Sequence, residues 1–242
     1  MALFKTAVAI IFTVLCATAY LVIGIPAFLL GILGFKKAMS WMFYRLAQAW
    51  AKIVILITGS TMDVRGTEHI PRKGAVCFVS NHVGIFDVVL ALAYTGRPFG
   101  FIAKKELAFL PFINIWIPIL GGLFIDRKNI RKSLKTINRG IQKLKAGGNM
   151  LIFPEGTRSK GRGLLPFRSG AIKLATQSLA AIVPIAISGS YDVFEKEYRV
   201  HAANIKMVFH PPIFTAEMKA DERRHQLAGR VRAIIEDTLS RP

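Results

Sequence analysis

From residue 75 onward, short apolar runs closed by polar or glycine-rich turns recur along the chain. Residues 75–79, 99–102, 121–125, 150–153, 182–187 and 205–209 each read as a short, largely buried strand. Between these runs the apolar positions fall at helical spacing. Residues 87–94, 133–145 and 169–179 predict helices, with Leu134, Ile137, Ile141 and Leu144 on one side of the second. Leu227, Val231, Ile234 and Ile235 mark a terminal amphipathic helix. Buried strands alternating with helices imply an α/β domain: a mixed, mostly parallel sheet with both faces covered by helices. Residues 107–120 fit neither pattern. They are unusually apolar, carry Phe109, Phe112 and Trp116, and are broken by Pro111 and Pro118. They belong either to the core or to a second membrane-contacting face.

The N-terminus has a different texture. Residues 6–35, 30 in all, contain no charge. As one helix this run would be about 45 Å long, against about 30 Å for a hydrocarbon core. Gly24-Ile25-Pro26 supplies a natural kink or break near its middle. Cys16-Ala17-Thr18-Ala19 vaguely resembles a signal-peptide cleavage site, but the apolar run continues past it without a break, which favours a retained membrane segment. Lys36 and Lys37 end the run, and residues 38–58 again read as an amphipathic helix. Trp41, Phe43, Tyr44 and Trp50 are its expected interfacial anchors, with Arg45 and Lys52 able to snorkel. The two segments form either a spanning helix followed by an interfacial one, or a hairpin dipping into one leaflet. Residues 1–62 are thus expected to be membrane-associated helices and residues 63–242 the globular domain. The positive-inside rule puts Lys36, Lys37 and that domain on the cytoplasmic side.

Composition reinforces the membrane reading. Hydrophobic residues make up 52% of the 242, and the formal net charge is +19, so the chain calls for an apolar phase and an anionic partner. Residues 97–173 hold 16 Lys/Arg against three acids. Anionic lipid and a phosphorylated substrate both fit. Nucleic acid fits poorly, because no recognition motif and no aromatic–basic interleaving appear. The two cysteines, Cys16 and Cys77, read as apolar thiols; no disulfide framework, metal-ligand spacing, nucleophile elbow or dinucleotide fingerprint is present.

Three polar clusters follow predicted strands: Asn81-His82 with Asp87, Asp126-Arg127-Lys128, and Glu155-Gly156-Thr157-Arg158-Ser159. Ligand crevices of open α/β sheets lie beyond the carboxyl ends of the strands, so the three can line one site. Five residues apart on a regular helix, His82 and Asp87 would point about 140° away from one another. They meet only if His82 sits in the turn and Asp87 in the first helical turn. Asp87 would then hold one imidazole nitrogen and leave the other as a general base. The nearby helix N-terminus would favour a neutral ring. Arg127 and Arg158 can bind phosphate oxygens through their guanidinium forks. Alternatively Arg127 pairs with Asp126 or a distant carboxylate, and Lys128, Arg131 and Lys132 form a solvated helix face. With no activated Ser or Cys, direct attack by an acceptor hydroxyl is the simplest chemistry.

Taken together these clusters resemble the glycerolipid acyltransferase family, most closely its bacterial members that act on 1-acylglycerol 3-phosphate. Asn81-His82-x4-Asp87 looks like the first family motif, and Gly122-Leu123-Phe124-Ile125-Asp126-Arg127 looks like the second. Phe153-Pro154-Glu155-Gly156-Thr157-Arg158-Ser159 matches the third, and Val183-Pro184-Ile185 resembles the fourth, within residues 63–212. The resemblance implies that His82, oriented by Asp87, deprotonates the sn-2 hydroxyl of lysophosphatidic acid. That oxygen then attacks the thioester of acyl-CoA or acyl carrier protein, giving phosphatidic acid with no cofactor or metal. It also implies that Arg127, Glu155, Gly156, Thr157 and Arg158 bind the acceptor, with Lys105 at another recurrent basic position. Other acceptors (glycerol 3-phosphate, another lysophospholipid, an aminolipid) and a non-catalytic lipid-binding role are the competing readings. One position departs from the family: Gly84 stands where Ser is common, two residues after the histidine, so a hydroxyl that would cap the helix or touch substrate is missing.

Overall fold

A computed structural model of the protein describes residues 1–32 and 35–241. Two long helices come first, α1 (Ala2–Ile32) and α2 (Lys36–Thr58). They pack on one another as a hairpin. Lys5 near the start of α1 donates to the Thr58 carbonyl at the end of α2 (2.9 Å), and Trp50 Nε1 donates to Thr13 Oγ1 (3.3 Å). The segment Ala2–Ala19 is long and apolar enough to cross a membrane, and little of it is buried within the protein. The expected break at Gly24-Ile25-Pro26 does not interrupt α1. The end of the apolar run at residues 33–34, and the side chains of Lys36 and Lys37, lie outside the described residues.

The α/β part contains β1 (Thr61–Arg65), β2 (Val76–Ser80), α3 (Phe86–Tyr94), β3 (Gly100–Lys104), α4 (Ile113–Ile119), β4 (Leu123–Ile125), α5 (Ile130–Lys145) and β5 (Met150–Ile152). It continues through α6 (Ser169–Ser178), β6 (Ala181–Ser188), β7 (Asn204–Phe209), β8 (Ile213–Phe214), α7 (Ala220–His225) and α8 (Leu227–Ser240). These strands form one sheet in the order β1-β7-β6-β2-β5-β3-β4, with β8 paired to β6. Strands β6, β2, β5, β3 and β4 are mutually parallel, whereas β7 and β8 run antiparallel to β6. The expected mixed, mostly parallel sheet is therefore observed.

Strand β2 shows how the sequence builds both cores. Its side chains alternate: Val76 and Phe78 join a cluster with α2 and α3, and Cys77 and Val79 join a second cluster with α5, α6 and α8. The first cluster changes the reading of α2. Phe43 and Tyr44, expected at a membrane interface, are instead core residues. Tyr44 shares a hydrogen bond with Thr95 Oγ1 (3.0 Å), satisfying the phenol inside the protein. The reason is that α2 turns that side toward α3, so only part of its apolar stripe remains for lipid; Trp41 is exposed.

Because the five central strands are parallel, their carboxyl ends share one edge of the sheet. The clusters after β2, β3, β4, β5 and β6 are thereby gathered there.

Candidate active site

Strand β2 delivers Asn81 and His82 to that edge. Asn81 is buried and ties the strand end to β6: its amide donates to Ile187 O (2.8 Å) and its carbonyl oxygen accepts from Ile187 N (2.8 Å). The chain then turns, and Asp87 becomes the second residue of α3. Its Oδ2 accepts from three donors: His82 Nδ1 (2.7 Å), Val83 N (2.7 Å) and Gly84 N (3.0 Å). Its Oδ1 accepts from Ser190 Oγ (2.5 Å). One carboxylate thus closes the turn that leads into α3 and grips the histidine, which resolves the mismatch that regular helical spacing would impose on this pair.

The tautomer follows from those partners. A carboxylate only accepts, so Nδ1 carries a proton, and in the neutral ring Nε2 keeps the lone pair. Nε2 has no hydrogen-bond partner among the described residues. The ring stacks on Phe153 (4.0 Å between centroids, 18° between planes) and is 16% exposed, while the Asp87 side chain is fully buried. His82 is therefore held from one edge and one face, with its free nitrogen available to a ligand.

Glu155 braces the same turn from β5. It is buried: Oε1 accepts from His82 N (2.6 Å) and Oε2 from Leu165 N (2.9 Å). Burial pushes its carboxyl above the ordinary range, opposed by those two backbone donors. Both oxygens being occupied, Glu155 holds the histidine loop and does not line the cleft. Ser159 N and Lys160 N complete the brace by donating to His82 O (2.7 Å) and Val83 O (3.1 Å). Gly156 is left-handed (φ 68°), and a Cβ there would come within 2.8 Å of Arg168. The third-motif glycine is thus required by the left-handed turn, across which Arg168 packs.

A cleft of about 290 Å³ opens beside the ring. His82, Phe153, Thr157 and Arg158 line it with Arg127 and Lys104, and Ile85, Val88, Phe101, Ile102, Ala103 and Leu107 supply an apolar wall. Arg127 makes no ion pair or hydrogen bond among the described residues. Protein crowded around it, together with repulsion from Arg168 and Arg158, pulls its guanidinium below the usual value. The alternative pairing with Asp126 is not formed, because Asp126 takes Lys105 instead (2.8 Å). That pair raises the Lys105 ammonium and lowers the Asp126 carboxyl, mainly through their shared hydrogen bond, and sets Lys105 just outside the cleft. Of the expected site residues, His82, Arg127, Thr157 and Arg158 share the cleft. Asp87 and Glu155 stand behind it, Gly156 shapes the turn, and Lys105 flanks it.

Two polar residues at this site escaped the sequence. Ser190, just after β6, reaches Asp87; a Gly-Ser step closing a buried strand was the available signal. Glu195, whose side chain is 9% exposed, binds Arg158 with Oε1 (2.5 Å) and accepts from Ile85 N with Oε2. No sequence signal points to it. It also accounts for Gly84, since a Cβ at that position would lie 2.8 Å from Glu195 Oε2 and 3.3 Å from Tyr191 Cα. A carboxylate from a distant loop occupies the place that a side chain at residue 84 would need.

A histidine with an open nitrogen thus faces a basic cleft with an apolar wall. A family model described as "Acyltransferase" matches residues 61–188, and the chain belongs to that family. It is 31% identical over 183 residues to the 1-acyl-sn-glycerol-3-phosphate acyltransferase of Escherichia coli K12, spanning 75% of this chain and 74% of that protein. The protein of the same name from Borreliella burgdorferi is 28% identical over 181 residues, spanning 74% and 72%. The crystal structure of the 1-acyl-sn-glycerophosphate acyltransferase PlsC from Thermotoga maritima superposes with a TM-score of 0.80, covering 100% of this chain and 99% of that one at 22% identity. This likeness shows a shared fold.

Proposed function

We propose that the protein transfers an acyl chain from a thioester to the sn-2 hydroxyl of 1-acyl-sn-glycerol 3-phosphate, giving phosphatidic acid for phospholipid synthesis. The observation that carries this is His82: Nδ1 is committed to Asp87, Nε2 is free, and Arg127 and Arg158 line the same cleft. His82 Nε2 takes the hydroxyl proton as the oxygen attacks the thioester carbonyl. The tetrahedral intermediate collapses, the C–S bond breaks, and the thiolate takes the proton back from Nε2–H. An ester and a free thiol leave. Asp87 keeps the ring oriented and offsets the positive charge it carries between the two transfers.

Arg127 and Arg158 receive the acceptor phosphate, with Thr157 beside them and Lys105 at the flank. Glu155 and Gly156 act by fixing the turns that carry His82 and Arg158. The acyl donor, acyl-CoA or acyl carrier protein, is a co-substrate, and its chain lies along the wall of Phe101, Ile102 and Leu107. The α1–α2 hairpin docks on an anionic membrane, with the catalytic part of residues 63–242 on the cytoplasmic face, in keeping with its positive charge.

The test is an assay of purified protein, wild type and His82→Ala, against lysophosphatidic acid, glycerol 3-phosphate and other lysolipids, with each acyl donor. Phosphatidic acid should form with lysophosphatidic acid and fall by at least about a hundredfold in the variant. Wild-type-like turnover in His82→Ala would refute the base; turnover only on another acceptor would refute the substrate.

A further inference from the structure

Residues 109–115 leave an apolar surface uncovered on the catalytic part of the protein. Phe109 is 81% exposed, and Leu110, Phe112, Ile113 and Ile115 are exposed with it; of α4, Ile117 enters the core. Soluble surfaces rarely carry contiguous apolar patches of this kind unless something binds there.

The backbone holds the patch outward. Phe112 has φ 64° and ψ −49°, and Ile113 N donates to Pro111 O (2.8 Å), a γ-turn of the rarer positive-φ kind. A phenylalanine kept in that conformation at the head of a helix points to a use for the exposed ring.

Two further observations name what covers it. The patch lies beside the hairpin, because Trp116 of α4 meets the buried Phe43 of α2 edge to face (centroids 6.1 Å apart), and Leu107, two residues before the patch, lines the active-site cleft. Exposed cations share the edge of the sheet from which it springs: Lys104 ends β3, Lys128 follows β4, whose Ile125 pairs with Lys104, and Arg131 and Lys132 begin α5. Apolar residues rimmed by cations match an anionic bilayer, with its hydrocarbon beneath charged head groups.

We propose that the segment from Phe109 to Ile115 is a second lipid-inserting element, separate from the α1–α2 hairpin. It beds the mouth of the active-site cleft in an anionic membrane, so that acyl chains reach His82 without crossing water. This rests on the membrane reading of the hairpin, and the two can be tested apart.

Phe109→Cys in a Cys16→Ser background takes an environment-sensitive fluorophore at residue 109. Cys77 stays unlabelled, because it is fully buried and its thiol is pushed up to about 12. Glu217→Cys in the same background labels an exposed polar position after β8, on the side of the sheet away from α2. Full-length proteins are mixed with vesicles of equal phosphatidylglycerol and phosphatidylcholine, and sedimentation is measured beside emission and quenching by nitroxide lipids. The label at 109 should shift to shorter wavelength and be quenched, while the label at 217 should not respond. Phe109→Ser/Phe112→Ser should weaken vesicle binding about tenfold or more while leaving the thermal midpoint near wild type. A chain that sediments with its 109 label still in water overturns the proposal and leaves the hairpin standing. A chain that stays in the supernatant overturns both.

Discussion

Asp87→Asn separates what Asp87 does by geometry from what it does by charge. In the wild type, Oδ2 accepts from His82 Nδ1, Val83 N and Gly84 N, and Oδ1 accepts from the Ser190 hydroxyl. An asparagine can keep all four contacts: its carbonyl oxygen takes the three-donor position, and its NH2 faces Ser190, whose hydroxyl rotates to accept. The histidine tautomer and the turn before α3 then survive, and only the negative charge is lost. With imidazolium and carboxylate centres about 4 Å apart, the interaction at an effective dielectric near 20 is about 4 kcal/mol, and about half of that if the proton is half transferred in the transition state. A loss of about 2–4 kcal/mol corresponds to about 30- to 1,000-fold in kcat. Thiol release from acyl-CoA with lysophosphatidic acid gives kcat and KM, and thermal denaturation gives stability. Asp87→Asn should lose kcat within that range, keep KM within about threefold, and melt near wild type. Asp87→Ala strands three donors at the buried oxygen and should melt several degrees lower, at about 1–3 kcal/mol per orphaned group. If Asp87→Asn retained activity within about threefold of wild type, charge stabilisation by Asp87 would be wrong.

The other predictions concern the braces around the histidine. Gly84→Ser should raise KM for the phosphate acceptor about tenfold, because its Cβ displaces the Glu195 carboxylate that seats Arg158. Glu195→Ala alone should raise KM by a similar factor, and adding it to Gly84→Ser should cost little more, because both remove the same seat of Arg158; additive losses in steady-state kinetics would dismiss the coupling. Glu155, with its carboxyl raised by burial, binds more protons folded than unfolded above its ordinary value of 4.5. The stability it contributes is fully present below that pH and is lost as pH rises through the folded value. The thermal-midpoint gap between wild type and Glu155→Gln should therefore be larger at pH 5 than at pH 7, and a constant or widening gap would contradict the assignment.

Much of the molecule was legible because the signals are local. Buried strands such as Val76–Ser80 announce themselves as apolar runs, and a parallel α/β sheet puts their carboxyl ends together whatever the loops do. His82, Arg127, Thr157 and Arg158 could thus be assigned to one cleft from their positions after strands. Tertiary packing decided the rest. Whether Phe43 and Tyr44 meet lipid or core depends on which side of α2 faces α3, and a helical stripe does not say what covers it. Whether Glu155 touches ligand or backbone depends on the donors that the folded loops bring to it.

By itself the sequence determined the sheet, the motif residues and the two apolar N-terminal helices, because these follow from periodicity, turn chemistry and order along the chain; that the helices pair as a hairpin was decided by contacts such as Lys5 to Thr58. It posed Gly84 as a missing hydroxyl. Only the folded structure supplied the reason, a carboxylate from residue 195 lying in that space. A contact between residues 111 apart in the chain has no local signature, since neither residue's neighbours encode the meeting.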